Sequence, residues 1–139
     1  MFDSTSVITD HALPVSRGRV GFIALWGVQV ALAGMFLLSG GSKLAGAAAM
    51  LALFDAIGIG QWFRYVTGAI EVVSAVALLV PSLAPFGAAA LVVTMIGAVA
   101  THLLLIGGSP VAPMVLLLGA FVVVWARRGQ LSRVLSRAL

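Results

Sequence analysis

The sequence predicts an all-α membrane protein, a four-transmembrane-helix bundle with a short interfacial or re-entrant segment after the first helix. Hydrophobic residues make up 62% of the 139 residues and charged residues only 9%, against about 45–50% and about 25% in soluble domains. Two uncharged runs, of 23 and 55 residues, are long enough for one and for several crossings, because a crossing needs about 20 residues. These runs are continuous and rich in leucine and alanine, which favours helices over alternating strands.

The first predicted span covers residues 20–41, within the uncharged run between Arg19 and Lys43. Residues 1–19 are predicted to be a cytoplasmic tail, of which the first 16 are loosely attached. A cleaved signal peptide is the alternative. The apolar run is too long for a signal core, however, and Asp3 and Asp10 stand where a signal peptide carries positive charge.

Residues 44–61 follow the first span and are predicted to form the short interfacial or re-entrant helix. Apolar side chains recur in this segment with helical spacing. They are Met50, Leu51, Phe54 and Ile57. The helix is expected to end at Gly58 and Gly60.

The 55 uncharged residues, 72–126, must contain more than one crossing. Pro81 and Pro85 mark one turn in this run, and Gly107-Gly108-Ser109-Pro110 marks another. The remaining spans are therefore predicted at 62–80, 86–106 and 111–126. The four spans together form a predicted membrane domain of residues 20–126.

Charge asymmetry predicts a multi-pass protein of the cell inner membrane with both termini in the cytoplasm. Four spans place both chain ends and the proline-marked turn on one side, together with six of the eight basic residues. The last segment, residues 127–139, has apolar and arginine side chains on different helical faces. It is predicted to be a basic amphipathic tail on an anionic leaflet, with a solvated basic end as the alternative.

Ionisable residues of the predicted spans gather in the outer half of the bundle. From the helical rise, Glu71 lies roughly 13 Å and His102 roughly 8 Å below the outer face, while Lys43 and Arg64 lie at its edge. An ionisable group inside a span costs about 2.5–3.5 kcal/mol, so these side chains should face protein or a cavity. Each has a structural alternative as an interface anchor, a backbone-bonded histidine or part of a buried ion pair.

Helical spacing adds hydroxyl side chains to the same faces. The predicted ligand-binding set is Lys43, Arg64, Glu71, His102, Thr67, Thr101 and Ser39. In the first span, the small residues Gly27, Ala31 and Gly34 form a stripe that is expected to contact a neighbouring helix.

The residue inventory excludes or disfavours several chemistries. The absence of cysteine excludes disulfides, thiolate-bound zinc and iron–sulfur clusters carried by this chain alone. Bis-histidine haem is disfavoured because His11 lies in the tail, although a single axial ligand or a haem shared between subunits stays open. Glu71 and His102 are too few for a zinc site, so no metal is predicted. The formal net charge of +4 comes from residues flanking spans and does not indicate nucleic acid.

Five stretches of the chain together resemble the DoxX-like family of small four-helix integral membrane proteins, over about residues 25–126. They are 38–44 (LSGGSKL), 60–71 (GQWFRYVTGAIE), 78–81 (LLVP), 95–102 (MIGAVATH) and 107–110 (GGSP). Some members of that family look like membrane subunits of quinone-linked oxidoreductases or redox-associated complexes. The resemblance therefore implies a quinone as a candidate ligand, bonded by Glu71 and His102, with Lys43 and Arg64 stabilising its anionic form.

Three functional hypotheses remain open. The first is a membrane subunit of a redox-associated system that binds a small lipophilic molecule. The second is a non-catalytic scaffold or partner subunit, and the third is a component of an oligomeric transporter or channel. The expected partners are the lipid bilayer, further copies of the chain, or a membrane or peripheral protein. The sequence identifies no catalytic residue and leaves enzymatic activity open.

Overall fold

The computed structural model describes residues 17–139, which are almost entirely helical. The helices are α1 (Arg17–Ala45), α2 (Ala48–Ile57), α3 (Gln61–Leu79), α4 (Ala84–Thr101), a π-helical turn (His102–Ile106) that extends α4, and α5 (Val111–Ala138). Four of them, α1, α3, the extended α4 and α5, are long and apolar enough to cross a membrane. The predicted all-α class and its four membrane helices are confirmed. Residues 1–16 of the predicted tail lie outside the described residues.

The four long helices form a closed ring in which each packs against two others. Helix α1 contacts α3, α3 contacts α4, α4 contacts α5, and α5 returns to α1. Each contributes a completely buried side chain to one apolar core: Phe36, Leu78, Leu91 and Val123. Since lipid is as apolar as these side chains, the ring depends on close packing and polar contacts rather than on the hydrophobic effect.

Helices α1 and α3 approach each other at a pair of glycines. A Cβ atom added to Gly40 would lie 2.8 Å from the carbonyl oxygen of Gly68, and one added to Gly68 would lie 2.9 Å from Cβ of Lys43. Both separations are shorter than van der Waals contact, so the crossing requires glycine on both helices. It brings the end of α1 against the middle of α3.

The small-residue stripe predicted for α1 faces the wrong way. Gly27, Ala31 and Gly34 are exposed, and no described atom lies within 4 Å of a Cβ added to either glycine. The contact face instead carries Gln29, Phe36 and Gly40, all buried. The prediction was wrong because small residues occur on both faces of α1, and helical spacing alone does not select between them.

Glycines and prolines separate the helices where the sequence predicted turns. Helix α2 follows Gly46 and ends at Gly58, both with positive φ, of 71° and 78°, which glycine adopts without strain. The turn between α3 and α4 contains Pro81, and Gly107 follows the π-helical turn. At the C-terminal end, α5 continues without a break through the predicted tail to Ala138.

Candidate functional site

A buried ion pair joins α1 to α3 beside the glycine crossing. Lys43 Nζ donates to both carboxylate oxygens of Glu71, at 2.9 Å and 2.8 Å, and to Oγ of Ser39 at 2.8 Å. The Glu71 side chain is only 2% exposed and that of Lys43 12%. All three N–H groups of the ammonium therefore have acceptors, and the pair carries no net charge.

Arg64 is close to this pair but has a different role. Its guanidinium is buried and donates to the backbone carbonyl of Lys43 and to Oε1 of Gln61. That carbonyl belongs to the last turn of α1, where carbonyl groups lack helical partners and a positive charge is favourable. Arg64 thus caps the end of α1 from the start of α3.

A cavity of about 540 Å³ lies beside the ion pair and is bounded by all five helices. Its polar lining consists of Ser39, Lys43, Thr67, Glu71, Thr94, Thr101 and His102. Much of the remaining lining is apolar and includes Met50, Phe54, Phe63, Ile70, Val93 and Leu116. Volume and composition fall within the range of small-molecule sites, which are about 300–1,000 Å³ and mostly apolar with a few polar groups.

The cavity brings together six of the seven residues predicted from the sequence. Arg64 is the exception, since its guanidinium is turned to the end of α1 and is not part of the described lining. Thr94 of α4, part of the same helical stripe as Thr101 and His102, is an additional polar member.

His102 stands where α4 changes into the π-helical turn. Its Nδ1 lies 2.9 Å from the carbonyl oxygen of Ala98. A carbonyl oxygen can only accept a hydrogen bond, so this contact requires the proton on Nδ1. Single π-helical turns within α-helices are frequent at functional sites. This one extends the end of α4 and is followed by Gly107, which has positive φ.

Sequence reasoning missed the role of α2 as a wall of the cavity. Met50, Leu53, Phe54 and Ile57 line it from this helix. The apolar period of the segment was visible in the sequence and predicted a helix. It did not indicate which part of the bundle the helix would cover.

A second buried polar cluster, also missed from the sequence, lies toward the other end of the bundle. Gln29 is completely buried, and its Nε2 donates to the carbonyl oxygen of Leu78 at 2.6 Å. Arg127 Nε in turn donates to Oε1 of Gln29 at 2.8 Å. The cluster links α1, α3 and α5. An amide in the middle of an apolar span was its only signal in the sequence.

The chain was compared with known families, curated proteins and solved structures. The model of a protein family described as the DoxX-like family matches residues 27–127, which include every polar residue of the cavity lining. No curated protein and no solved structure matches the chain.

Proposed function

The chain belongs to the DoxX-like family, and we propose that this membrane protein binds a small lipophilic molecule among its helices. The observation that carries the proposal is the apolar cavity of about 540 Å³ with an ion pair and a histidine in its wall. Polar groups at membrane depth are costly unless they pair or serve a task. Here seven polar side chains line one cavity.

The chemistry of the wall favours a neutral ligand that arrives through the lipid. Lys43 and Glu71 cancel each other's charge, so neither an anion nor a cation gains from the site as a whole. Ile70 of α3 and Val93 of α4 line the cavity and are 41% and 69% exposed. An opening between these two helices would admit a molecule dissolved in the bilayer.

We propose the quinone class as the ligand, and a redox-associated system as its setting. Glu71 on α3 and His102 at the start of the π-helical turn line one cavity and would bond the hydroxyl oxygens of a quinone-type ring in its reduced form. The chain has no cysteine, so a bound quinone or a partner subunit would supply the electron carrier. The family resemblance supports this setting.

The proposal is tested by measuring which small molecules remain bound to the gently purified protein. Wild-type protein should carry a stoichiometric lipophilic molecule, identified by native mass spectrometry and solvent extraction. Gly97→Phe should lose it, because Gly97 lines the cavity and a Cβ there meets no described atom within 4 Å. Ala100→Phe places the same ring on an exposed position of α4 and is the matched control. Equal ligand content in both variants would rule out the cavity as the binding site.

A non-catalytic scaffold is the second candidate function. One observation favours it: polar contacts hold the helices together. The Lys43–Glu71 ion pair joins α1 to α3, and the Gln29–Arg127 hydrogen bond joins α1 to α5. Under this alternative, Gly97→Phe would leave partner binding and biological activity intact, whereas breaking either polar contact would remove both through loss of folding.

We further propose insertion in the inner membrane with both termini in the cytoplasm. The absence of native cysteines makes single-cysteine labelling direct. Ser109 lies after the π-helical turn and Ser136 near the end of α5, and both are exposed. Each is replaced by cysteine in turn. A membrane-impermeant maleimide should label Ser109→Cys in intact cells and Ser136→Cys only after lysis. The reverse pattern would invert the topology.

We also propose that the protein works as a homo-oligomer or with a membrane or peripheral partner protein. A redox role without an electron carrier in the chain requires one from elsewhere, which supports such an assembly. Native mass measurement in nanodiscs, with and without mild crosslinking in cells, should detect a complex. A strictly monomeric protein without crosslinked partners would contradict it.

A further inference from the structure

The cavity presents more hydrogen-bond acceptors than donors, because most donors in its wall are already used within the protein. The three N–H groups of Lys43 donate to Ser39 Oγ and to the two oxygens of Glu71. No N–H of this ammonium is left for a ligand unless the ion pair is broken, which is costly in a buried site.

The threonine hydroxyls of the wall are also used within their own helices. Thr67 Oγ1 donates to the carbonyl of Phe63 at 3.0 Å, Thr94 Oγ1 to that of Ala90 at 2.8 Å, and Thr101 Oγ1 to that of Gly97 at 2.9 Å. Each oxygen keeps lone pairs that can accept. The Ser39 hydroxyl is the remaining donor, and its oxygen is held by Lys43.

His102 completes the pattern. In the neutral tautomer that places the proton on Nδ1, where it donates to the Ala98 carbonyl, the ring presents the Nε2 lone pair as an acceptor. Among the described residues, every buried side-chain nitrogen or oxygen has a hydrogen-bond partner. The Nε2 atom of His102 has no such partner, so it is not buried and is accessible to a ligand. Each Glu71 oxygen accepts one bond from Lys43 and has a second lone pair.

We infer that the ligand of this cavity is a neutral lipophilic hydrogen-bond donor, a molecule with a phenolic or alcoholic hydroxyl. This inference rests on the proposed function and sharpens it. Within the quinone class, the cavity selects the reduced, hydroxyl-bearing form over the oxidised form, which can only accept. A ligand that can only accept finds at most the Ser39 hydroxyl as a donor in this wall. It leaves the other acceptors of the wall without a partner.

A pair of redox-inert probes tests the inference. 4-Octylphenol and its methyl ether, 4-octylanisole, share the same ring and tail and differ in the hydroxyl proton. Binding to the full chain in nanodiscs is measured by native mass spectrometry across a concentration series. The phenol should bind about tenfold more tightly or better, because only it donates to the wall.

Variants separate this inference from the proposal on which it rests. In His102→Phe, the affinities for the phenol and the ether should differ by no more than a few-fold. Thr101→Val, which keeps side-chain size, should reduce the difference between the two affinities. The inference would be overturned if both probes bound wild type equally. If Gly97→Phe then abolished that binding and Ala100→Phe retained it, the proposed function would stand. Tighter binding of the ether would also overturn the inference. Binding of neither probe would overturn it as well, whereas the proposed function is overturned by purified protein that carries no lipophilic molecule.

Discussion

The charged residues of this bundle acquire their roles from the atoms immediately beside them. Lys43 and Arg64 both lie near the end of α1, yet Lys43 points to a carboxylate in the cavity wall and Arg64 to a backbone carbonyl. The glycine crossing sets this difference, because it brings Lys43 within hydrogen-bond distance of Glu71. The sequence placed both residues at one edge of the bundle and disfavoured Arg64 as the partner of Glu71, because two helical turns separate them. It could not decide between Lys43 and His102 as that partner.

Removal of one partner of the buried ion pair should be strongly destabilising. Glu71→Gln leaves the Lys43 ammonium without its countercharge, which in buried pairs costs about 3–5 kcal/mol. The measurement is denaturant or thermal unfolding in detergent. Lys43→Met combined with Glu71→Met removes both charges and should be less destabilising than Glu71→Gln alone. Asp55→Asn, on exposed α2 surface, is the control. Wild-type stability of Glu71→Gln would contradict the structural importance of the pair.

The buried amide of Gln29 should contribute to folding stability independently of the Lys43–Glu71 ion pair. Gln29→Leu leaves the Leu78 carbonyl without its side-chain donor and leaves the Arg127 guanidinium with Gln130 as its described acceptor. An unsatisfied buried polar group costs about 1–3 kcal/mol, so unfolding in detergent should shift by that amount. Val30→Leu, on the exposed face of the same helix, should be near neutral. A Gln29→Leu protein as stable as its Val30→Leu counterpart would show that the cluster is not structural.

At the scale of the helices, the sequence predicted where each helix lies in the chain better than which of its faces is buried. Uncharged length and the glycine and proline breakers predicted four long helices and the short α2, because these features act locally. The stripe of α3 predicted to face inward is buried except for the half-buried Thr67. Its polar residues mark one face of the helix, which made this face predictable. Helix α1 has small and apolar residues all round, so its inward face depends on the fit of Gly40 to Gly68 on another helix.

The glycine crossing can be tested with one methyl group. Gly68→Ala forces Cβ to within 2.9 Å of Lys43 Cβ, and such overpacking costs about 1–3 kcal/mol. Gly34→Ala meets no described atom within 4 Å and should be neutral or stabilising by up to about 1 kcal/mol, since alanine is the better helix former. Unfolding measurements on the two variants provide the comparison. A reversed order would mean that α1 packs by its other face.

Across the whole molecule, the two ends of the bundle are built differently. The end with the α3–α4 turn is closed by a packed core that includes Leu78, Leu91 and Val123. The end with α2 and the π-helical turn encloses the cavity. The sequence predicted the polar residues of the second end, because such residues are rare in a span. It could not predict a volume, since a cavity results from how five helices fit together.

Filling the cavity should therefore separate intrinsic stability from ligand-dependent stability. Gly97→Phe replaces a helical glycine whose added Cβ meets no described atom within 4 Å, so the ligand-free variant should melt at or above the wild-type temperature. A ligand at 100 times its dissociation constant stabilises a protein by about 2.7 kcal/mol, and 4-octylphenol should raise the melting temperature of wild type accordingly. Gly97→Phe should show no such rise, whereas Ala100→Phe should retain it. A phenol-dependent rise that persists in Gly97→Phe would place the ligand outside this cavity, on the lipid-facing surface of the helices.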